Sequence, residues 1–307
     1  MFIEYDSSVD RVLRRVVTLG RESRSVDNPW QGEIVCRMAE LNEIYQRLNL
    51  HPKELGVWTA KHTRKLDLAN FRSDNVYVWQ KRNITIENYL VSYLLTKIAD
   101  KEDLFTQLNE NGSYGVDFFE FSSRKISRDL LDSVLEINFM IDMVGRDSLA
   151  KFSVLDIGAG YGRLARNLAM VFPEMKIGCI DAIPLSTAIS EYYLGEEIER
   201  GQIKVYNLAQ LDELANCSFD LAVNIHSFSE MSLSSVEDWI GFLKKAKVPR
   251  VFVVPNPKEL SLNSGEDFRE IFERFGYRVS IVRSKFLEGV PENFLLYPAN
   301  YFYLELE

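Results

Sequence analysis

The chain has 307 residues, 46% hydrophobic and 26% charged, a balance that excludes disordered, collagen-like and disulfide-scaffold proteins. Its 36 basic and 45 acidic side chains leave a net charge of −9, which disfavours non-specific attraction to nucleic acid or anionic lipid. Neither half is a basic module, since residues 1 to 150 hold 20 basic and 23 acidic groups and residues 151 to 307 hold 16 and 22.

MFIEYDSSVD at the start is acidic and has no apolar h-region, so no secretory signal and a cytoplasmic location are expected. Cys36, Cys179 and Cys217 lie far apart without a C-x-x-C, which fits reduced thiols and no zinc site. Apolar periodicity predicts helices over about 9–19, 85–98 and 127–144. Another is predicted after Asn28-Pro29, where Ile34, Val35, Met38, Leu41, Ile44, Tyr45 and Leu48 form one stripe. Residues 50–83 read as irregular and polar, with KHTRK at 61–65 and a short strand VYVWQ at 76–80. The richest apolar stretch, YLVSYLLTKIA at 89–99, is too short to cross a bilayer, which takes ~20 residues. Lys61, His62, Arg64, Lys65, Lys81 and Arg82 can hold a nucleotide-sugar phosphate or simply form a solvated face. Tyr114, Phe118, Phe119 and Phe121 can stack on a sugar or form a core strand. Residues 1–145 therefore read as a mostly helical region that covers the remainder or dimerises a homodimer through its helices.

After Lys151 the texture changes to short apolar runs, SVLDIG, KIGCID, IKVYN, FDLAVNI and RVFVVP, separated by helix-length segments. Such spacing predicts βαβ units and a parallel sheet with helices on both faces over 146–307. The last runs, YRVSIVRSKF and NYFYLELE, have no helix between them and can pair antiparallel.

VLDIGAGYGRLARNLA, residues 154–169, is the strongest signal. Val154, Leu155 and Ile157 predict a buried strand, Gly158, Gly160 and Gly162 a tight turn open to a ligand, and Leu164, Ala165 and Leu168 the start of a helix. Its G-x-G-x-G spacing departs from the G-x-G-x-x-G of dinucleotide sites. A carboxylate at Asp156 would repel a pyrophosphate but attract an ammonium, which disfavours a dehydrogenase and matches S-adenosylmethionine (SAM). Asp181, 25 residues further on, ends the next strand where it can accept both ribose hydroxyls. Ala159, Tyr161, Arg163, Ala182, Asn207, Leu208 and Asn224 complete the expected cofactor-binding set, Arg163 either clamping the methionine carboxylate or standing in solvent.

These residues resemble the class I SAM-dependent methyltransferases. More narrowly, SRDLLDSVLEINFM, VLDIGAGYGRLARNLA, NIHSFSEM and VPNPKELS, within about residues 115–280, resemble the sugar O-methyltransferase family of bacterial polysaccharide gene clusters. The resemblance implies an α/β, Rossmann-like seven-stranded sheet, mostly parallel with its last strand antiparallel, and methyl transfer to a sugar hydroxyl.

FDLAVNIHSFSEM, 219–231, leaves Asn224, His226, Ser229 and Glu230 at a strand's carboxyl end. A sugar hydroxyl is a poor nucleophile and needs alignment and a base. His226, at an ordinary pKa near ~6.5, is the first choice for that base and Glu230 the second. Ser227 and Glu230 also satisfy a capping box, as do Ser234 and Glu237 further on, the latter read as purely structural. Asn256, in Pro255-Asn256-Pro257, either bonds the acceptor or shapes its loop. Asn224, Glu230 and Asn256 are too loose a set for a metal, so activity without added metal is expected. The expected partner is a small-molecule or glycan acceptor, with no nucleic acid and no membrane span. Two competing readings remain: transfer to a nitrogen or carbon centre, and a non-catalytic SAM-binding partner subunit.

Overall fold

The computed structural model describes residues 18–21, 31–48, 68–73, 85–110, 112–121 and 123–307. The expected strand at 76–80, the basic groups at 61–65 and 81–82, and residues 9–17 of the first expected helix lie outside them. Thr18 and Leu19, expected to end that helix, stand in a strand instead.

Among the described residues, ten strands form two sheets. β1 (Thr18–Arg21), β2 (Asp117–Phe121) and β3 (Arg124–Ser127) make a small antiparallel sheet. The N-terminal half therefore carries strands besides helices. Apart from FFEF, these strands are four-residue polar pieces, too short for a period-2 signal.

The larger sheet holds β4 (Ser153–Ile157), β5 (Lys176–Ile180), β6 (Ile203–Tyr206), β7 (Leu221–Ile225), β8 (Arg250–Val254), β9 (Tyr277–Ser284) and β10 (Asn300–Leu306). Their order is β6-β5-β4-β7-β8-β10-β9, with β10 antiparallel to both its neighbours and the pairs among β4 to β8 parallel. The parallel strands are those expected from the apolar runs, and the whole is the α/β, Rossmann-like seven-stranded sheet that the resemblance implied. The chain progresses outward in opposite directions from β4 and β7, so a crevice opens where those two part, outside their carboxyl ends. Leu155, Asp156 and Ile157 are all buried, because helices cover both faces and the strand shows no polar side.

Seven helices matter for the site: α1 (Gln31–Arg47), α2 (Ile86–Ala99), α3 (Arg128–Val144), α4 (Arg163–Val171), α5 (Pro184–Tyr193), α6 (Leu233–Lys245) and α7 (Arg269–Arg274). One core joins α2, α3 and α4 to Val154, Ile177, Val223 and Phe252; the other joins α1, α5, α6 and α7 to Leu155, Ile157, Val251 and Val253. The alternation along β4 and β8 thus divides the two layers. α6 is capped by Ser232, whose hydroxyl accepts from Ser235 N at 3.2 Å, rather than by Ser234. Glu237 pairs with Arg274 at 3.2 Å instead of closing a capping box.

α3 is unusual. Ser127 caps it by accepting from Leu130 N at 3.0 Å, and every residue from Asp129 to Ile141 is buried. Asp129, Asp132, Ser133 and Glu136 recur at helical spacing, so one buried stripe of this helix is polar. Among the described residues, no helix is long and apolar enough to cross a membrane.

Candidate functional site

The turn after β4, the first turn of α3, the ends of β5 and β7 and residues 297–299 enclose a cavity of about 370 Å³. Gly158 N donates to Ile180 O at 2.8 Å and tucks the turn against β5. At φ +69° Gly158 is in the left-handed region, and a Cβ there would lie 2.0 Å from Ser227 Oγ. Gly158→Ala is therefore expected to destabilise the fold by about 2–4 kcal/mol, from strain plus overpacking. Ser227→Gly in the same chain should recover part of the loss, as thermal unfolding of the two variants will show. Gly160, at φ +59°, also lines the cavity, but a Cβ there would meet nothing within 4 Å. Its backbone is thus open to close approach by a ligand. Gly162 begins α4 and packs on Leu194 outside the cavity lining.

Two carboxylates flank this turn. Asp156 is 3% exposed and Asp181 is 7% exposed, yet neither makes an ion pair among the described residues. Burial pushes each carboxyl up to about 7. Asp181 Oδ2 accepts from Gly160 N at 2.9 Å and Oδ1 from Ile183 N at 2.8 Å, which aims the group at the cavity and leaves each oxygen a further lone pair. The main chain of Asp181 is held from outside: Tyr45 of α1 donates to its carbonyl at 3.1 Å, with Thr187 Oγ1 beside it.

The polar stripe of α3 supplies the facing wall. Arg163 donates to Glu136 through Nη1 at 2.8 Å and Nη2 at 3.0 Å, and to Ser133 Oγ at 2.8 Å. Its fork is neither solvated nor open to a ligand carboxylate, because Glu136 is buried beneath it. Burial raises the Glu136 carboxyl above its usual range, and the Arg163 charge opposes that shift. Arg128 lines the cavity, donating through Nε to Asp132 at 3.1 Å while its guanidinium lies 4.1 Å from the Tyr297 ring centre. Lys285 bonds Asp132 from below and the carbonyls of Leu296 and Tyr297, both at 3.3 Å.

His226 stands at the end of β7 with φ +68°, a conformation that costs a non-glycine residue about 1–3 kcal/mol. Its Nδ1 is buried with no hydrogen-bond partner among the described residues. Burial, then the charge of Arg128, push its pKa down to about 3, so the imidazole is neutral. The expectation of an unshifted histidine is corrected here: desolvation and nearby cations both disfavour the imidazolium. Glu230 lines the cavity and accepts from Asn256 Nδ2 at 3.1 Å. The Ser227–Glu230 capping box does not form, since Ser227 Oγ lies against Ile157 O and Asn224 and the short helix starts at His226 without a side-chain cap.

Asp156, Gly158, Ala159, Gly160, Tyr161, Arg163, Asp181, Ala182, His226 and Glu230 thus meet around one cavity. Asn207, Leu208 and Asn224 do not line it. Asn207 caps a short helix by accepting from Ala209 N at 2.9 Å, and Leu208 is sealed in the core beside Tyr45. Asn224 turns inward to Ile157 O at 2.9 Å and accepts from Phe228 N at 3.0 Å, fixing the turn rather than a ligand. Arg128, Asp129, Asp132, Ser186 and Tyr297 line the cavity and were not singled out in the sequence. The polar positions within the apolar pattern of α3 were the available signal. Among the described residues, no group of three or more His, Cys, Asp or Glu side chains could hold a metal ion.

No protein-family model and no curated protein sequence matches this chain. Solved structures similar to it include magnesium protoporphyrin IX methyltransferase from Synechocystis PCC 6803 with bound SAM, at 13% identity over 74% of this chain and 100% of that one, TM-score 0.41. A SAM-dependent methyltransferase from Aquifex aeolicus is similar at 19% identity over 57% of this chain and 93% of that one, TM-score 0.39. The 4+2 cyclase SpnF is similar at 13% identity over 55% of this chain and 80% of that one, TM-score 0.40.

Proposed function

We propose that this chain is a SAM-dependent methyltransferase acting on a hydroxyl acceptor, with a sugar as the acceptor class. The observation that carries the cofactor reading is the pair Asp156 and Asp181, two buried carboxylates without a cation partner among the described residues, on either side of a turn open at Gly160. A ligand bearing positive charge relieves the cost of ionising them, whereas a pyrophosphate would add to it. Asp181 would accept the ribose hydroxyls and Asp156 the ammonium of the methionine moiety. Arg128 would hold the methionine carboxylate, because the Arg163 fork is engaged by Glu136. The cofactor, when bound, supplies an electrophilic methyl group on a sulfonium.

His226, Glu230, Asn256 and Tyr297 remain for the acceptor. A neutral imidazole orients a hydroxyl by accepting its proton in a hydrogen bond. The low basicity of His226 does not bar it from taking that proton, because the hydroxyl oxygen becomes strongly acidic as its bond to carbon forms. A neutral sugar hydroxyl is favoured over a cationic amine because the Arg128 charge beside His226 outweighs the opposing charge of Asp132.

Two measurements test this. Titration calorimetry with S-adenosylhomocysteine should show binding, and its absence overturns the cofactor reading. Incubation with methyl-labelled SAM and a panel of monosaccharides, nucleotide sugars and amines should label a sugar; label only on amines overturns the acceptor reading. His226→Ala should lower kcat about 100-fold with cofactor affinity unchanged within twofold. Because His226 titrates near 3, kcat should show no histidine limb between pH 5 and 8.

A further inference from the structure

A turn with glycines at 158, 160 and 162, all at positive φ, is held poorly by its own backbone and needs clamps. Two side chains within it reach α3: Arg163 to Glu136, and Tyr161, whose hydroxyl donates to Asp129. Asp129 is itself gripped from the N-terminal region. Arg72 donates to it through Nε at 3.2 Å and Nη2 at 3.0 Å, to Glu110 through Nη1 at 3.1 Å and Nη2 at 2.9 Å, and to Ser113 O at 3.2 Å. These five bonds match the five N–H groups of a guanidinium, and Arg72 is buried beside the rings of Tyr161 and Tyr193, which pack edge-on against each other at 4.9 Å. Phe71, next to it, packs edge-on against Tyr161 at 5.3 Å.

We propose that Arg72 is a positioning residue for the glycine-rich turn, holding Tyr161 through Asp129 and thereby setting cofactor affinity. The inference rests on the cofactor reading above. Asp129 lines the cavity together with Asp156 and Asp181, so without Arg72 a third buried carboxylate would lose the guanidinium that bonds it and Tyr161 would lose a fixed acceptor. Lysine cannot replace the arginine, because a point charge does not span Glu110 and Asp129 together.

The test is a double-mutant cycle read by S-adenosylhomocysteine calorimetry on the full chain: unsubstituted protein, Arg72→Lys, Tyr161→Phe and the double variant. Arg72→Lys should raise Kd at least tenfold in the unsubstituted background and less than threefold in Tyr161→Phe, because its effect passes through the tyrosine hydroxyl. Amide exchange at 158–162 should accelerate in Arg72→Lys. A merely structural arginine would give equal factors in both backgrounds, and that result, or unchanged affinity, overturns the inference alone. No binding by the unsubstituted protein overturns the cofactor reading, and this inference with it. Should Arg72→Lys not fold, Asp129→Asn takes its place in the cycle with the same outcomes.

Discussion

Asp181→Ala is expected to weaken binding of S-adenosylhomocysteine by at least about 100-fold. The carboxylate would accept two ribose hydroxyls, each a hydrogen bond to a charged group contributing about 1.5–3 kcal/mol, and every ~1.4 kcal/mol is a factor of ten. The substitution also frees Gly160 N and Ile183 N, which Asp181 now holds, so the turn loses its reference to β5. Calorimetry of the variant decides the point, and near-native affinity would remove Asp181 from the site. The same carboxylates set a pH dependence whose sign is fixed. Burial raises Asp156 and Asp181 to about 7, so in the free protein they hold protons that the unfolded chain has released, and stability falls as pH rises from about 4 towards 7. Ligand affinity runs the other way and should rise as pH approaches 7, by up to about tenfold per pH unit for each carboxyl that must ionise to meet the cation.

The second large effect is on stability. Arg163→Met leaves Glu136, 2% exposed, without its cation, and breaking a buried pair from one side costs about 3–5 kcal/mol. For a chain of this length that is a fall in Tm of roughly 5–8 °C by calorimetric scan. Adding Glu136→Met should restore most of it, since removing both charges removes the uncompensated one. Because the Arg163 fork is spent on Glu136 and Ser133 and braces the turn, the double variant should regain ligand affinity together with stability.

The larger sheet was legible because its strands are buried on both faces and read as unbroken apolar runs ended by Gly, Pro, Asp or Asn. The glycine turn and its two acids were legible because their chemistry is confined to a strand, a turn and the next strand. What lies across the cavity was not. Asp129, Asp132, Ser133 and Glu136 sit at the spacing of a solvated helix face, and only the fold turns that face onto Tyr161, Arg163 and Lys285. Asn224 was misplaced for a related reason: a strand-end carboxamide serves a ligand or its own turn equally well until its partners are known. Arg72, Tyr45 and Tyr297 act across 57, 136 and 169 positions of sequence. No local pattern carries such distances.

The place of β10 between β8 and β9 governs the sequence of events in assembly. β9 pairs with the sheet through β10, so the stretch emerging earlier from a ribosome, held until then by Tyr277 on Val248 and Phe272, must wait for the later one to slot in. Until then β8 presents a bare apolar margin, a standing invitation to pair with a neighbouring nascent chain. Chaperone dependence during expression should therefore track how fast residues 300–306 become available.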